Sequence, residues 1–273
     1  MRKLKTMIFI SFWLLLIGLL VYICNSFWQN RVLFNAIERN DYEEARTAIE
    51  SGAFLNTSRH ILAIPELVMT NPTPLITACK KGNYEIVNLL VLAGADINKV
   101  DNCTEETPLI AALQGTKQNR FSLAFYLIEH GADVHKKQQS NSVFQETLLV
   151  SDVDSPETVQ EGFSLFQYLM EENVDISISF PPGNALNYAV RYNNYSVVKY
   201  FLENGYFAVN EKDCNGDTAL IVASKYNRLE IAELLVQFGA TLDVTDSVNK
   251  TAYSYAVENG YAEIAELLQV PES

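Results

Sequence analysis

The sequence predicts an all-α protein, a solenoid of short helix–turn–helix repeats preceded by one N-terminal transmembrane helix. Three observations carry this expectation. The phrase "TPLITACKKGNYEIVNLLVLAGADIN", Thr73 to Asn98, is partly rewritten when "TPLI" returns at Thr107 and "GAD" at Gly131. Two columns of the repeat hold only Gly or Asn. An apolar run with a basic start opens the chain.

The opening run comes first. Arg2, Lys3 and Lys5 make residues 1–6 a basic start, and Met7 to Ile23 is apolar apart from Ser11 and Gly18. Tyr22, Phe27 and Trp28 add the aromatic exit expected at a membrane interface. Taken as 7–28, the stretch reaches the ~20 residues that a spanning helix needs. The alternative is a cleaved signal peptide on a secreted or periplasmic protein, which usually has a shorter apolar core and a small-residue cleavage pattern. "YICNSFWQN" offers no such pattern, which favours an uncleaved anchor. The basic residues before the span set the expected orientation, with the N-terminus in the cytoplasm and the body outside it.

The repeats occupy 31–273. The Thr-Pro-Leu slot starts at 73 and 107, in altered form at 218 and 251, and in weaker form at Glu146 and Asn184. The steps are 34, 39, 38, 34 and 33 residues. Before Thr73, "LFNAIERNDYEEARTAIESGAFLN" reads as a further unit, giving about seven. The first helix of each unit should end at Asn40, Gly82, Asn193, Asn227 and Gly260, and the second at Gly52, Gly94, Gly131, Asn173, Gly205 and Gly239. Gly and Asn are the residues that tolerate a left-handed helix C-terminus. Between the columns, segments such as "YEIVNLLVLA" and "LEIAELLVQF" repeat apolar residues at i, i+3, i+4 and i+7, a buried helical face. One unit cannot bury that face alone, so neighbours must stack on it.

A period near 33 with T-P-L-x-x-A resembles the ankyrin repeat. The resemblance covers nearly everything from Arg31 to Leu268 and implies a rigid stack that binds proteins on its concave face. It also has departures. The histidine that usually follows T-P-L is replaced by Ile76, Ile110, Leu149, Asn187, Ile221 and Ser254, so packing is expected to compensate for a missing inter-repeat hydrogen bond. Alanine-to-glycine spacing grows from 16 to 19 between Ala112 and Gly131, and to 22 between Ser151 and Asn173, where "SDVDSPETVQEGF" reads as a surface loop. A third insertion, between the first two units, contains the apolar "HILAIPELVM".

Composition narrows the function. The chain of 273 residues is 48% hydrophobic and carries a formal net charge of −13. Beyond the first 30 residues, 17 basic residues face 33 acidic ones. A body this acidic lacks the basic footprint needed for nucleic acid or anionic lipid. Cys24, Cys79, Cys103 and Cys214 form no CxxC pair, and "EHGADVH" places His130 and His135 across a helix end rather than in a ligand cluster. Catalytic signatures such as G-x-G-x-x-G, H-E-x-x-H and G-x-S-x-G are missing, so neither an enzyme nor a cofactor, metal or small-molecule substrate is expected.

The informative columns are the two residues before the first-helix turn. They hold Glu38-Arg39, Lys80-Lys81, Arg191-Tyr192, Lys225-Tyr226 and Glu258-Asn259. The plainer reading is that Lys and Arg complement the helix dipole. In the functional reading, Lys80, Lys81, Arg191, Tyr192, Lys225 and Tyr226 form an exposed basic, aromatic stripe for an acidic or tyrosine-compatible protein segment. Loop tips at Cys103-Thr104, Cys214-Asn215 and Ser247-Val248 would flank it. The sequence thus predicts a membrane-anchored protein-interaction module, a scaffold or regulator. An immunity or inhibitor protein that neutralises a basic toxin or enzyme is the alternative.

Overall fold

The computed structural model describes residues 2–57, 72–101, 104–136, 142–151, 154–176 and 184–269. The chain divides into two compact units, Met1–Val143 and Phe144–Ser273. Among the described residues the regular structure is helical, and Thr245 and Thr251 form an isolated antiparallel bridge.

Among the described residues the helices form seven successive pairs. The first unit holds α1 (Arg2–Arg39) with α2 (Tyr42–Glu50), α3 (Pro74–Lys81) with α4 (Tyr84–Leu92), and α5 (Pro108–Gln114) with α6 (Arg120–Glu129). At the boundary begins α7 (Val143–Leu148), paired with α8 (Pro156–Glu171). The second unit continues with α9 (Ala185–Arg191) and α10 (Tyr195–Glu203), α11 (Ala219–Lys225) and α12 (Leu229–Gln237), and α13 (Ala252–Asn259) and α14 (Ala262–Leu267).

Local chemistry starts and stops these helices. Thr73, Thr107, Thr218 and Thr251 are N-caps, each hydroxyl accepting the amide three residues on at 3.1–3.4 Å. Asn184 does the same for the Asn187 amide at 2.9 Å. Pro74 and Pro108 sit at N1, where proline's missing N–H costs nothing. All eleven residues of the two Gly/Asn columns have positive φ. Gly82, at φ +68°, closes α3 and donates back to the Cys79 carbonyl at 3.0 Å. A third positive-φ column, Glu105, Gly216 and Asn249, lies two residues before the next N-cap, and its mixed residue types give it no signature in the sequence.

Each unit builds its own interior. In the first, Leu33, Phe34, Ile37, Leu75, Ile76, Ile86, Leu90 and Leu109 are essentially fully buried. In the second, Phe144, Phe166 and Phe201 form a mutual cluster with centroid separations of 5.4–6.5 Å. Burial of such side chains contributes about 1.5–3 kcal/mol each before entropy is counted.

An asparagine ladder joins repeats where the family histidine is missing. Asn98 donates to the Gly131 carbonyl at 2.9 Å and accepts the Asp133 amide at 2.8 Å. Asn56 accepts the Asp96 amide, and Asn210 accepts the Thr241 amide, both at 2.8 Å. Asn187, in the histidine position itself, donates to the Asp217 carbonyl of the next repeat at 3.1 Å. Packing therefore does not compensate alone.

Two readings need correction. The fourth slot does not start at Glu146, which lies inside α7, but at Ser142, with Thr147 in the alanine position. Tertiary packing selects that register by burying Val143, Phe144, Thr147 and Leu148. "SDVDSPETVQEGF" is not a loop throughout. Ser155 caps the Thr158 amide, Pro156 takes N1, and the segment from Pro156 to Phe163 is the start of the 16-residue α8. "HILAIPELVM" lies outside the described residues.

Candidate protein-binding face

The expected stripe falls on both units, Lys80 and Lys81 in the first, Arg191, Tyr192, Lys225 and Tyr226 in the second. In both units its lysines meet acidic groups, from neighbouring repeats for Lys80 and Lys81, and from its own and the next repeat for Lys225.

In the first unit, Lys80 and Lys81 end α3. Lys80 Nζ lies 2.6 Å from Glu106 Oε2, an ion pair to the loop before α5, and the Glu106 side chain is buried. Lys81 Nζ lies 2.7 Å from Glu38 Oε2 near the end of α1, with both groups exposed. An exposed pair of this kind contributes little to stability. Both lysines remain accessible to a partner, but with their charge matched. Next to them in sequence sits Cys79, whose thiol is pushed up by burial and by the Glu106 charge, so it is an inert core group.

In the second unit, the expectation of an exposed Lys225 is overturned. Its side chain is 25% exposed, and Nζ is 2.7 Å from both carboxylate oxygens of Asp217 and 3.5 Å from Asp246. The ammonium also lies 4.4 Å from the Tyr255 ring centroid. Tyr255 donates its hydroxyl to Asp246 Oδ2 at 2.6 Å. The reason is topological, since stacking places the loops before α11 and α13 around the end of α11. Lys225 is thus an internal clamp between two repeats.

Burial raises the Asp217 carboxyl, and the hydrogen bond and charge of Lys225 oppose this without cancelling it. Burial also pushes Asp246 up, but the Tyr255 hydroxyl, the Lys250 and Val248 amides and the Lys225 charge outweigh it and hold this carboxyl at about 2. These amide bonds, at 3.0 and 2.9 Å, make Asp246 the organiser of its loop. In the preceding repeat Asp213 has the same role, accepting the Asn215 and Asp217 amides at 2.8 and 2.9 Å.

What remains open on this unit is aromatic. Tyr192 and Tyr226 cap α9 and α11 in equivalent places and are 37% and 39% exposed. The Arg191 guanidinium lies 5.1 Å from the Tyr226 ring centroid and links the two repeats. The Tyr188 and Tyr192 rings are 4.8 Å apart, and their hydrogen bond raises the Tyr192 phenol. Cys214, Asn215, Ser247 and Val248 are exposed at two loop tips, joined by a bond from the Ser247 amide to the Asn215 carbonyl at 3.1 Å. Thr104 is described, whereas Cys103 lies outside the described residues.

Sequence reasoning missed Glu106, Asp217, Asp246 and Tyr255. Glu106 and Asp217 each immediately precede an N-cap threonine, but Lys80 reaches the one before the next repeat and Lys225 the one before its own helix, so no common spacing marks the pairs in the sequence. His130 is a helix-terminal residue with Nδ1 2.8 Å from the Tyr126 carbonyl oxygen. Among the described residues no group of three or more His, Cys, Asp or Glu side chains is placed to hold a metal ion.

Comparison with known proteins agrees with this architecture. The family model for ankyrin repeats (3 copies) matches residues 33–138, 157–246 and 186–272. The chain is similar to the putative ankyrin repeat protein YahD of Escherichia coli K12, 26% identical over 203 residues, covering 72% of this chain and 94% of that protein. It is 28% identical over 204 residues to alpha-latrotoxin-Lg1a of Latrodectus geometricus, matching 72% of this chain but 14% of the toxin. The human ASB11 ankyrin repeat domain superposes with a TM-score of 0.64 at 22% identity, over 88% of this chain and 99% of that domain. The helix pairs, the Gly/Asn turns and the family match together make this chain a member of the ankyrin-repeat family.

Proposed function

We propose that the chain is a membrane-anchored protein-interaction module, a scaffold or regulator that binds its partner on the inner-helix columns and loop tips without catalysis. The observation that carries this reading is the exposed pair Tyr192 and Tyr226, presented at equivalent positions of successive rigid repeats. Surface tyrosines on a preformed scaffold are favoured protein contacts, because little is left to be ordered on binding. Alanine at both positions is expected to weaken capture of a membrane-extracted partner while leaving the helical circular dichroism and melting intact. Undiminished capture would move the site elsewhere on the stack.

The anchor reading rests on α1. This helix is long and apolar enough to cross a membrane. It also continues without interruption to Arg39, so the first repeat's inner helix is its C-terminal part. Contacts with the first repeat include Asn25, which donates to the Ser51 carbonyl at 3.1 Å, and Phe27, whose ring meets Phe54 edge-on at 5.8 Å. Ser26 and Asn30 are buried in the same seam. Cleavage in this region would strip groups that the first repeat uses, which supports an uncleaved anchor. The N-in orientation, with the repeats outside the cytoplasm, rests instead on Arg2, Lys3 and Lys5 before the span. Intact mass of the membrane-extracted chain, and a reporter after Ser273 that works only outside the cytoplasm, test this. A chain starting near residue 25, or an active cytoplasmic reporter, would refute it.

The immunity or inhibitor reading gains from the charge distribution. Residues 144–273 hold 20 acidic and 6 basic residues, net −14, whereas residues 1–143 hold 13 and 14, net +1.

A further inference from the structure

We propose that the second unit binds a protein segment rich in lysine or arginine, seated on the surface around Tyr192 and Tyr226. This rests on the protein-binding reading above and specifies the chemistry of the partner. It reverses the acidic partner that the basic stripe suggests in the sequence.

The reversal follows from which charges are already matched. Lys225 is held between Asp217 and Asp246 and has no charge to spare. Lys250 Nζ lies 2.6 Å from Glu258 Oε2 and 5.3 Å from the Tyr255 ring centroid. Arg191 lies over Tyr226, its charge set against a ring rather than a carboxylate. Arg228 donates its Nε and Nη2 to the Arg191 carbonyl at 3.2 and 2.9 Å, so a second guanidinium borders the patch, inside a unit that carries a formal −14. The field of the whole unit therefore attracts a basic segment and repels an acidic one.

The exposed rings supply the short-range half of recognition. Lysine and arginine bury their aliphatic stems on apolar surface and present their cations to aromatic faces. Tyr192 and Tyr226 offer such surface in consecutive repeats. The hydroxyls of both tyrosines keep the patch wettable, as expected of a surface that must stay soluble when free. An acidic peptide would meet the Arg191 and Arg228 guanidiniums at the patch, but inside the −14 of the whole unit.

The test uses the full chain in detergent micelles or nanodiscs. A photoreactive amino acid replaces Tyr192, Tyr226 or, as a comparison, Lys81, and cross-linked segments from native membranes are sequenced. In parallel, anisotropy measures binding of labelled peptides that interleave Leu and Tyr with Arg, with Gln or with Glu. The Arg peptide is expected to bind at least about ten-fold tighter than the Glu peptide at low salt and to lose most of that margin at about 0.5 M salt. The Tyr192→Ala, Tyr226→Ala double variant is expected to lose about five-fold or more while retaining its melt. Cross-links from 192 and 226 should fall in segments of net positive charge. Acidic cross-linked segments, or Glu peptides binding as tightly as Arg peptides, would overturn the basic partner and leave the protein-binding reading standing. Cross-links confined to position 81 would overturn the location. No protein adduct at any position would remove both readings.

Discussion

Replacing Lys225 with methionine isolates the inter-repeat clamp from ordinary packing. Methionine keeps most of the stem but deletes the ammonium, stranding Asp217 and Asp246, whose side chains are 8% and 3% exposed. Breaking a fully buried pair from one side costs about 3–5 kcal/mol, because the remaining charge is left without compensation. Lys225 keeps a quarter of its side-chain surface in water, so the expected cost is lower, about 2–3 kcal/mol. For a domain of this size the urea slope is about 2–3 kcal/mol per molar, which places the loss near 1 M in midpoint. Urea unfolding of the full chain, followed by far-ultraviolet circular dichroism, reads it directly. Adding Asp217→Asn to the variant should recover part of the loss, since its stranded charge disappears, whereas Asp246 keeps the Tyr255 hydroxyl and two backbone amides. The deficit should also narrow as pH falls through the carboxylate range, because burial already raises Asp217 and protonation removes its unpaired charge. A midpoint shift below about 0.2 M would show that the cluster behaves as a surface ion pair, and the clamp argument would be wrong.

Three further outcomes follow from the same structure. Gly82→Val and Gly260→Val should each cost about 1–2 kcal/mol from left-handed strain, with Gly82 the worse of the two, because a Cβ there meets the Thr116 hydroxyl while Gly260 faces open space. Equal midpoints for both variants and the parent would contradict the turn assignment. Asn193→Gly, at φ +60°, should be neutral or mildly stabilising in the same assay. Asp246, held at about 2 against an ordinary value near 4, contributes stability that is present above about pH 4 and lost as pH falls towards 2. Asp246→Asn should therefore flatten acid unfolding in that window, and an unchanged acid profile would show that this carboxylate does not matter there.

The sequence alone determined the repeat architecture, because its strongest signals are local. A left-handed helix end is satisfied by the residue that occupies it, so the two Gly/Asn columns could be read without knowing any contact, and all eleven take positive φ. The same locality misled in the fourth repeat. There Ser142-Val143-Phe144 replaces the Thr-Pro-Leu phrase, and only burial against α8 and its neighbours selects the correct register. The Ser155-Pro156 start of α8 was legible as a cap followed by proline, but its polar flank read as loop. Residue types at the candidate face were also legible, and Tyr192 and Tyr226 are exposed as expected. The electrical state of that face was not. Lys80 meets Glu106 from 26 residues away, and Lys225 meets Asp246 from 21, each across a repeat boundary. The charge of a side chain is fixed by its own chemistry, but whether that charge is free or matched depends on which loop the stack folds over it, and that is a property of tertiary structure.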